Sequence, residues 1–204
     1  MTGDEPCAAL GAFSTGTLCD AHPQVRALDS AIMPLFRGAA FSGTARTAMT
    51  PPDHNAAIHR ALHTAREGDV LVIDGGGGSA FGLFGDILAA ACIRRGVRGC
   101  VIDGTVRDTA GICAMCFPVF CRGVNAAGAG KSDPGEVNAE IVCGGVAVCP
   151  DDFVIGDDDG VVVVPRELGP QVVARAEEVV RREREIIRRV GEGESTCEIL
   201  GITP

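Results

Sequence analysis

Short apolar runs, separated by glycine-rich turns and by segments of helical spacing, dominate the middle of the chain. Three runs are continuously apolar, and two segments of helical spacing lie between them: 69–74 (DVLVID), 99–104 (GCVIDG) and 117–120 (FPVF), with 85–96 and 107–115 in the intervals. Strands that are apolar on both faces and alternate with helices are typical of parallel sheets. The pattern therefore predicts a parallel β-α-β-α-β unit and an α/β fold class.

The flanking segments predict further short elements around this unit. Residues 5–21 have the spacing of short helices, with Ser14 or Thr15 as a cap. The other predicted elements are extended segments at 33–37 and 40–49, a helix at 55–68 ended by Gly68, loop and irregular strand at 124–142, and strands at 145–150, 152–157 and 160–165. A chain of 204 residues is long enough for one compact domain with a core of its own.

A long, highly charged helix is predicted at residues 167–192. Its apolar positions, among them Val172, Ala176 and Val179, form a stripe that is too narrow for a helix at the centre of a core. We expect this C-terminal helix to pack along the edge of the domain or against a neighbouring subunit.

The charge balance argues against nucleic acid as a partner. The formal net charge is −9, and Glu183 and Glu185 interrupt the basic cluster at 181–189, whereas a phosphate-binding surface needs a basic stripe. No apolar run reaches the ~18 residues of a membrane span, and the N-terminus lacks the pattern of a secretory leader. We therefore expect a cytoplasmic protein without a membrane partner.

The ten cysteines have two interpretations. Several lie inside apolar runs, as Cys92 and Cys100 do, and there cysteine behaves as a small hydrophobic residue. Cys113 and Cys116 form a CxxC motif with Cys121 nearby, but a four-ligand zinc site would need a second pair. We interpret the cysteines as buried free thiols and keep a metal or redox role as the alternative.

Two glycine-rich segments match phosphate-binding loops only in part. Gly75-x-Gly77-x-x-Ala80 follows a strand, as a dinucleotide loop does, but no helix begins directly after it. GAGKS (128–132) lacks the first glycine of a phosphate loop, because position 125 is Asn, and no apolar helix follows. A nucleotide-binding domain is therefore kept only as a third functional hypothesis.

Two polar clusters have simple structural interpretations. Asp157–Asp159 lie between two predicted strands, where GDDDG signals a tight turn rather than a metal cluster. His59 and His63 lie four residues apart on one helix face, as zinc ligands do, but the glutamate that accompanies such a pair is absent.

One cation and two carboxylates are predicted to converge at the carboxyl ends of the central strands. Asp86 stands where the first glycine loop turns into a helix, and Arg107 and Asp108 follow the next strand. Ligands of open parallel sheets bind outside the carboxyl ends of the strands. The alternative is structural: Asp86 caps its helix, and Arg107 pairs with it.

These residue types suit an anionic substrate and a hard metal ion. Gly85 would let a ligand approach the backbone, and the amides of Ile87 and Leu88 would face an anion at the helix N-terminus. Arg107 would bind a carboxylate in bidentate fashion, and Asp108 could hold Mg²⁺ or Mn²⁺ through oxygen. The combination predicts a site for a 2-oxo acid whose keto oxygen is polarised by the metal.

The segments GDVLVIDGGGG, GVRGCVIDGTVRD and VCPDDFVIGDDDGVVVVP resemble the RraA-like family. That family includes class II 4-hydroxy-4-methyl-2-oxoglutarate aldolases with oxaloacetate decarboxylase activity, and the RraA regulators of ribonuclease E. The most specific part of the resemblance is an Asp followed after twenty residues by Arg-Asp, as in Asp86 and Arg107-Asp108. The resemblance implies a single layered β/β/α domain over residues 1–204, similar to the phosphohistidine swivelling domain.

The resemblance also implies a role for each residue of the site. Asp108 would be a direct ligand of Mg²⁺ or Mn²⁺, and Asp86 would hold waters of the metal. The amides of Ile87 and Leu88 would hold the substrate carboxylate. Arg107 would bind the pyruvate moiety and stabilise the enolate that forms on C–C cleavage.

A further carboxylate is expected from a second copy of the chain. The resemblance implies homotrimers or hexamers in which a glutamate of a neighbouring subunit's C-terminal helix reaches the site. Glu183 matches this glutamate best and Glu185 second.

The expected function is a divalent-metal-dependent lyase that cleaves 4-hydroxy-2-oxo acids to pyruvate or decarboxylates oxaloacetate. One position departs from the aldolase motif, which continues with Glu or Asp three residues after the metal-binding Asp, where this chain has Gly111. The alternative function is a non-catalytic RraA-type protein that regulates ribonuclease E by binding it.

Overall fold

The central strands of the structure are parallel, as the apolar runs predict. The computed structural model describes residues 5–203, and residues 1–4 and 204 of the predicted domain lie outside this range. The strands are β1 (Arg26–Ala27), β2 (Met33–Pro34), β3 (Phe41–Met49), β4 (Asp69–Asp74), β5 (Gly82–Phe84), β6 (Gly99–Val106), β7 (Val119–Val124), β8 (Glu136–Val137), β9 (Ile141–Cys143), β10 (Val146–Val148), β11 (Phe153–Asp157) and β12 (Gly160–Val164). The helices are α1 (Glu5–Leu10), α2 (Thr15–Ala21), α3 (Ala56–Thr64), α4 (Asp86–Arg95), α5 (Thr109–Ala114), α6 (Gly169–Gly191) and α7 (Thr196–Leu200).

A ten-stranded curled sheet is the centre of this α/β domain. Its main path runs β1-β12-β11-β3-β4-β6-β7-β2. The pairs β3–β4, β4–β6 and β6–β7 are parallel, whereas the outer pairs are antiparallel. Every residue of β6 is buried, as expected for a parallel strand that is covered on both faces. The predicted β-α-β-α-β unit is confirmed.

Strand β6 has two successive partners along one of its edges. β4 pairs with its first half, from Gly99 to Asp103, and the short strand β5 pairs with Thr105 and Val106. Between β4 and β5 the chain leaves the sheet in the glycine loop at 75–78. Strand β5 was not predicted, because three residues after a glycine-rich loop carry no periodic signal.

Three clusters of buried side chains fill the layers around the sheet. The first lies between the sheet and α3, α4 and α5. The second lies on the opposite face, under the β9–β10 hairpin, where the rings of Phe41 and Phe120 meet edge to face at 5.2 Å. The third joins α1, α2 and α6 to strands β11 and β12. The order is helices, large sheet and small sheet, which is the predicted layered β/β/α arrangement.

Helix α3 is shorter than the sequence predicts. It ends at Thr64, with Ala65 already extended, and Gly68 lies in the following turn instead of ending the helix. The carboxylate of Asp69 accepts a hydrogen bond from the amide of Arg66 at 2.8 Å. This bond turns the backbone toward β4 before the helix can continue, so the predicted end at Gly68 is wrong.

Strand β7 is displaced from its predicted position. The prediction placed it at 117–120, whereas the strand spans Val119–Val124. The segment 124–142, predicted as loop and irregular strand, contains β8 and the first two residues of β9. Strands of only two or three residues depend on the strand they pair with and carry no periodic pattern of their own.

Several local signals are confirmed. The Ser14 hydroxyl caps α2 by accepting from the amide of Thr17 at 3.1 Å. Gly96 ends α4 in the left-handed conformation, which glycine adopts without steric cost. The acidic turn at 157–159 joins β11 to β12, with Asp157 accepting from the amide of Asp159 at 3.0 Å.

The C-terminal helix α6 packs along one edge of the domain. Val172, Ala176 and Val179 are buried against α1, α2 and the adjoining strands, while Ile187 and Val190 near its end are exposed. Packing against a neighbouring subunit stays a prediction. Within residues 5–203, no helix is long and apolar enough to cross a membrane.

A buried ion pair links β3 to β4. The Arg46 Nε donates to Asp69 Oδ2 at 3.1 Å, and both side chains are almost fully buried. On its outer side Arg46 also approaches Asp151, which is exposed, at 3.9 Å. The same Asp69 carboxylate holds the turn after α3, so this pair stabilises both the parallel strands and their connection.

Removing the inner carboxylate should destabilise the fold. We expect Asp69→Asn to lower the free energy of unfolding by about 3 kcal/mol, because the buried Arg46 loses its counter-charge. Asp151→Asn is the matched control and should cost less than about 1 kcal/mol, since an exposed ion pair contributes little. Urea unfolding monitored by circular dichroism measures both variants. Equal losses of unfolding free energy in the two variants would contradict the assignment of Asp69 as the buried counter-charge of Arg46.

Candidate active site

The pairing of β5 with β6 brings the predicted site residues together. The amide of Arg107 donates to the carbonyl of Phe84 at 2.9 Å, directly before Gly85. A methyl group added at Gly85 would lie 2.5 Å from Asp108 Oδ2 and 3.4 Å from Arg107 Cγ. The resulting cavity of about 80 Å³ is lined by Asn55, His59, Gly82, Leu83, Gly85, Asp86, Ile87, Leu88, Arg107, Asp108, Ala129 and Lys131.

The structural alternative for Asp86 is wrong. The N-cap of α4 is Gly85, without a side-chain capping bond. Arg107 pairs instead with its neighbour Asp108, Nε to Oδ2 at 3.2 Å. Within residues 5–203, Asp86 has no ion pair and no side-chain hydrogen bond. The unpaired carboxylate of Asp86 therefore lies in a cavity that is also lined by the guanidinium of Arg107.

Asp108 adopts a strained backbone conformation. Its φ of 55° and ψ of 35° lie in the left-handed region, which costs free energy for any residue with a side chain. Such conformations cluster at functional sites, where the surrounding structure enforces them. The conformation lets the chain turn from β6 into α5 while the carboxylate stays beside Gly85.

Two glycines let backbone pack directly against Arg107. A methyl group at Gly82 would lie 2.7 Å from Arg107 Cβ, and one at Gly128 would lie 2.6 Å from a terminal guanidinium nitrogen. The side chain is thereby held in position although it remains 40% exposed. A guanidinium held in this way loses little conformational entropy when it binds an anion.

The N-terminus of α4 presents free backbone donors to the same cavity. The first amide of this segment that bonds within the helix is that of Ala89, which donates to the carbonyl of Gly85 at 3.1 Å. The amides of Ile87 and Leu88 precede it and have no intrahelical acceptor. Together with the dipole of a ten-residue helix, these amides favour an anion.

Asn55, His59 and Lys131 also line the cavity, although the sequence predicts none of them as residues of this site. Asn55 is 8% exposed and donates through Nδ2 to the carbonyl of Leu83 at 2.8 Å, so it holds β5 in place. Lys131 belongs to the GAGKS segment that was rejected as a phosphate loop. These residues come from distant segments, and no local signal indicated their convergence.

The positive charge of Lys131 affects the pKa of a histidine on helix α3. Burial, together with the nearby Lys131 ammonium, lowers the pKa of His59 below its usual value. His59 is therefore neutral at pH 7, and Lys131 supplies the positive charge on this wall of the cavity.

Glu183 does not lie in this cavity within one chain. It belongs to α6, which packs on α1 and α2. Glu185 bonds to Arg188 of its own helix at 2.7 Å, and this bond lowers the pKa of Glu185. Glu183 has no such bond within the described residues, so its carboxylate is the freer of the two.

The donor set of the cavity fits a hydrated divalent cation. Asp86 and Asp108 are its two acidic residues, and residues 5–203 contain no group of three or more His, Cys, Asp or Glu side chains suited to a metal. Mg²⁺ keeps several waters and is usually held by one or two carboxylates. Asp108 would be the direct ligand, with Asp86 facing the waters.

No disulfide joins the cysteines within residues 5–203, and several of them are deeply buried. Burial raises the pKa of Cys92 to about 12 and raises the pKa of Cys100 and Cys143 well above the usual thiol value. Neutral buried thiols of this kind are inert. The interpretation as buried thiols is confirmed for these three, while Cys116 and Cys149 are exposed.

The glycine loop at 75–78 has a structural role. Gly76 and Gly77 have φ values of 67°, and a methyl group at Gly75 would lie 2.8 Å from the carbonyl oxygen of Asp103. Glycine is therefore required for the chain to leave β4 and return as β5. This requirement accounts for the pattern that resembled a dinucleotide loop.

The fold and the cavity define an α/β protein with a charged site at the carboxyl ends of parallel strands. The family model described as Aldolase/RraA, RraA-like, matches residues 15–163 of the sequence. The chain belongs to the RraA-like family.

Relatives in this family carry two kinds of name. A protein of Halalkalibacterium halodurans named "Putative 4-hydroxy-4-methyl-2-oxoglutarate aldolase" is 36% identical over 162 residues, which are 79% of this chain and 77% of that protein. Streptomyces coelicolor RraAS2, described as an unusual member of the RNase ES inhibitor RraA family, has a TM-score of 0.82 and 30% identity over 91% of this chain and 98% of its own. The RNA-processing inhibitor RraA from Thermus thermophilis has a TM-score of 0.69 and 30% identity over 74% of this chain and 92% of its own.

Filling the space at Gly85 should weaken cation binding. We expect Gly85→Ala to lower the affinity for Mn²⁺ by about tenfold or more, because the new methyl group displaces the Asp108 carboxylate. The free energy of unfolding should change by less than about 1 kcal/mol, since the displaced atom ends a flexible side chain.

Gly16→Ala is the matched control for this variant. A methyl group at Gly16 meets nothing closer than Ser14 Oγ at 4.0 Å, and the position lies in α2, which contributes nothing to the cavity. Electron paramagnetic resonance of free Mn²⁺ measures the affinity. An unchanged affinity in Gly85→Ala would exclude Asp108 as a ligand.

Proposed function

We propose that this protein is a divalent-metal-dependent lyase that forms pyruvate from 4-hydroxy-2-oxo acids of the 4-hydroxy-4-methyl-2-oxoglutarate type, or from oxaloacetate. The observation that carries the proposal is the convergence of Arg107 and Asp108 on the unpaired Asp86 and the free amides of α4. The aldolase names of relatives support the same class of reaction.

The chain's own groups account for substrate binding. The amides of Ile87 and Leu88 bind the carboxylate next to the keto group, in the way a helix N-terminus binds anions. Gly85 lets this carboxylate approach the backbone, since any larger residue would occupy the space beside Asp108. Arg107 then reaches the keto oxygen with its guanidinium, which the neighbouring backbone holds in position.

Cleavage of the bond between C3 and C4 leaves an electron pair on the pyruvate half, as an enolate. Arg107 stabilises the negative enolate oxygen, which forms only as the bond breaks. A bound divalent cation would add Lewis-acid polarisation at this oxygen. Aldol cleavage also removes the proton of the 4-hydroxyl, and C3 must then gain a proton. Asp86, which has no partner, orients water to move these protons.

The proposal includes a second copy of the chain. Glu183 lies away from the cavity of its own subunit, on a helix whose distal part exposes Ile187 and Val190. An exposed apolar stripe at the end of a long helix is suited to subunit packing. In a homotrimer or hexamer, Glu183 of one subunit would help to hold the waters in the site of the next.

The decisive experiment measures pyruvate release from oxaloacetate with Mg²⁺ or Mn²⁺. We expect turnover above the free-metal background, abolished by EDTA, and a loss of about 10²–10³-fold in kcat for Arg107→Ala, because the charge that stabilises the enolate is removed. Arg94→Ala is the control, since Arg94 is an exposed residue in the last turn of α4. Absence of metal-dependent turnover in the unaltered protein would refute the proposal.

The second candidate is an RraA-type protein that regulates ribonuclease E by binding. The observation that favours it is Gly111, where a methyl group would lie 3.1 Å from Asp86 Oδ2. The carboxylate found at this position in the aldolase motif would therefore stand beside Asp86, and this chain lacks it. The RraA names of the structural neighbours favour the same candidate.

The regulator hypothesis predicts that the protein binds ribonuclease E and does not turn over a substrate. If the protein is a regulator, we expect it to inhibit a ribonuclease E in a saturable manner. Arg107→Ala should not change this inhibition, because the protein would bind through its surface and not through the cavity. Cleavage of a labelled RNA at increasing protein concentration measures this. Failure to bind or inhibit any ribonuclease E tested would remove the candidate.

A further inference from the structure

We propose that Cys113 and Cys116 form a redox-active dithiol, which a low-molecular-weight disulfide such as oxidised glutathione converts into an intramolecular disulfide. The pair lies at the C-terminal end of α5, the helix that begins directly after Asp108, and neither cysteine lines the cavity described above. The inference goes beyond the proposed function and does not depend on it, because neither candidate function uses these thiols.

The end of α5 has the hydrogen-bond pattern of a Schellman cap. The amide of Cys116 donates to the carbonyl of Cys113 at 2.9 Å, and the amide of Phe117 donates to the carbonyl of Ile112 at 3.4 Å. Cys116 occupies the left-handed position of this cap, with a φ of 51°. Ile112 and Phe117 are both buried, in agreement with the apolar contact that often accompanies such a cap. The backbone around the pair is therefore fixed by bonds that do not involve the thiols.

Cysteine is an unfavourable residue at the left-handed position of this cap. Helices usually place glycine there, as α4 does with Gly96, because a residue with a side chain loses free energy in this conformation. Cys116 is exposed, so packing of its side chain does not offset the loss. A residue held in a sparsely populated conformation is a candidate for a functional role, and in Cys116 the reactive group is the thiol.

The cap turn brings the two cysteines within reach of each other. Four residues that are closed by a bond between the first carbonyl and the fourth amide have end Cα atoms within about 7 Å. A disulfide needs Cα atoms about 4.4–6.8 Å apart. No other two of the ten cysteines are separated by two residues. A disulfide between Cys113 and Cys116 therefore requires only a local change at the end of a six-residue helix.

Both thiols are available for exchange. Cys116 is exposed and Cys113 is half-buried, and neither thiol has a hydrogen-bond partner in the part of the chain that the structure describes. Cys149 is also exposed, but desolvation and the carboxylates of Asp152 and Glu140 raise its pKa. Because the thiolate is the attacking species, Cys149 is a slow thiol and serves as an internal control.

The exchange consists of two substitutions at sulfur. The thiolate of Cys116, the more exposed cysteine, attacks one sulfur of the small disulfide, forms a mixed disulfide and releases one small thiolate. Cys113 then attacks the sulfur of Cys116, closes the intramolecular disulfide and releases the second small thiolate. The two cysteines thus lose two electrons and two protons, and the small disulfide is reduced to two thiols.

Incubation of the reduced, intact protein in glutathione redox buffers tests the pair directly. Remaining thiols are blocked with N-ethylmaleimide in denaturant, and cleavage by trypsin and chymotrypsin after Phe120 separates Cys121 from the pair. As the share of oxidised glutathione rises, we expect the peptide with Cys113 and Cys116 to lose two hydrogens and to take up no blocking group. Dithiothreitol should reverse this change, and mass spectrometry measures it.

Single substitutions distinguish a reactive pair from two independent thiols. Cys113→Ser should stop the reaction at a mixed disulfide of Cys116 with glutathione, and Cys116→Ser should abolish the intramolecular disulfide. Cys149→Ser is the matched control and should leave the disulfide of the pair unchanged. Blocking groups on both cysteines of the unaltered protein at every glutathione ratio, or glutathione on both, would overturn the inference.

A glycine substitution tests whether the side chain of Cys116 serves the fold instead. In the reduced protein, we expect Cys116→Gly to raise the midpoint of thermal unfolding by about 2–4 °C, because glycine adopts the left-handed conformation without steric cost. Ala114→Gly is the control at an exposed helical position of α5 and should lower the midpoint. A lower midpoint in Cys116→Gly would assign the cysteine a structural role and contradict the inference.

Discussion

The arrangement of the site depends on the pairing of one strand, β6, with two successive partners along the same edge. β4 occupies the first half of this edge and β5 the second, so the chain has to leave the sheet and re-enter it within a few residues. Because β5 re-enters there, Gly85 emerges beside Arg107 and α4 starts at the carboxyl end of β6. If β5 did not pair with β6, the helix N-terminus and the Arg-Asp pair would have no fixed relation.

The sequence alone predicts the strands at the centre of the sheet but not the elements at its edges. The runs at 69–74 and 99–104 are long, continuously apolar and bounded by glycine, so their assignment as parallel strands required no tertiary information. Strand β5 and the end of α3 were missed because both are determined by partners elsewhere in the chain. β5 exists because β6 offers a free edge, and α3 stops because Asp69 captures the amide of Arg66.

The same division applies to the cavity. Asp86, Arg107 and Asp108 could be predicted to converge, since all follow strands that run side by side. Asn55 and Lys131 could not, because their positions are determined by hydrogen bonds from loops to distant backbone. The neighbouring residues Asp86 and Gly111 favour different functions, so membership of the family does not decide between an enzyme and a regulator. Asp86 is present and unpaired, while the residue next to it has lost the side chain that the aldolase motif retains.

The cavity has two walls of different construction. One is made by β5, the start of α4 and the Arg107–Asp108 pair that follows β6, and its geometry belongs to the sheet itself. The other includes the loop segment 127–132, which is joined to the domain by a few backbone hydrogen bonds and by the hydrogen bond between His54 and Ser132. Surface segments of this kind accept insertions and substitutions that a buried sheet does not. Substitutions in residues 127–132 could therefore change the polarity and charge of one wall of the cavity while the wall that belongs to the sheet stays unchanged.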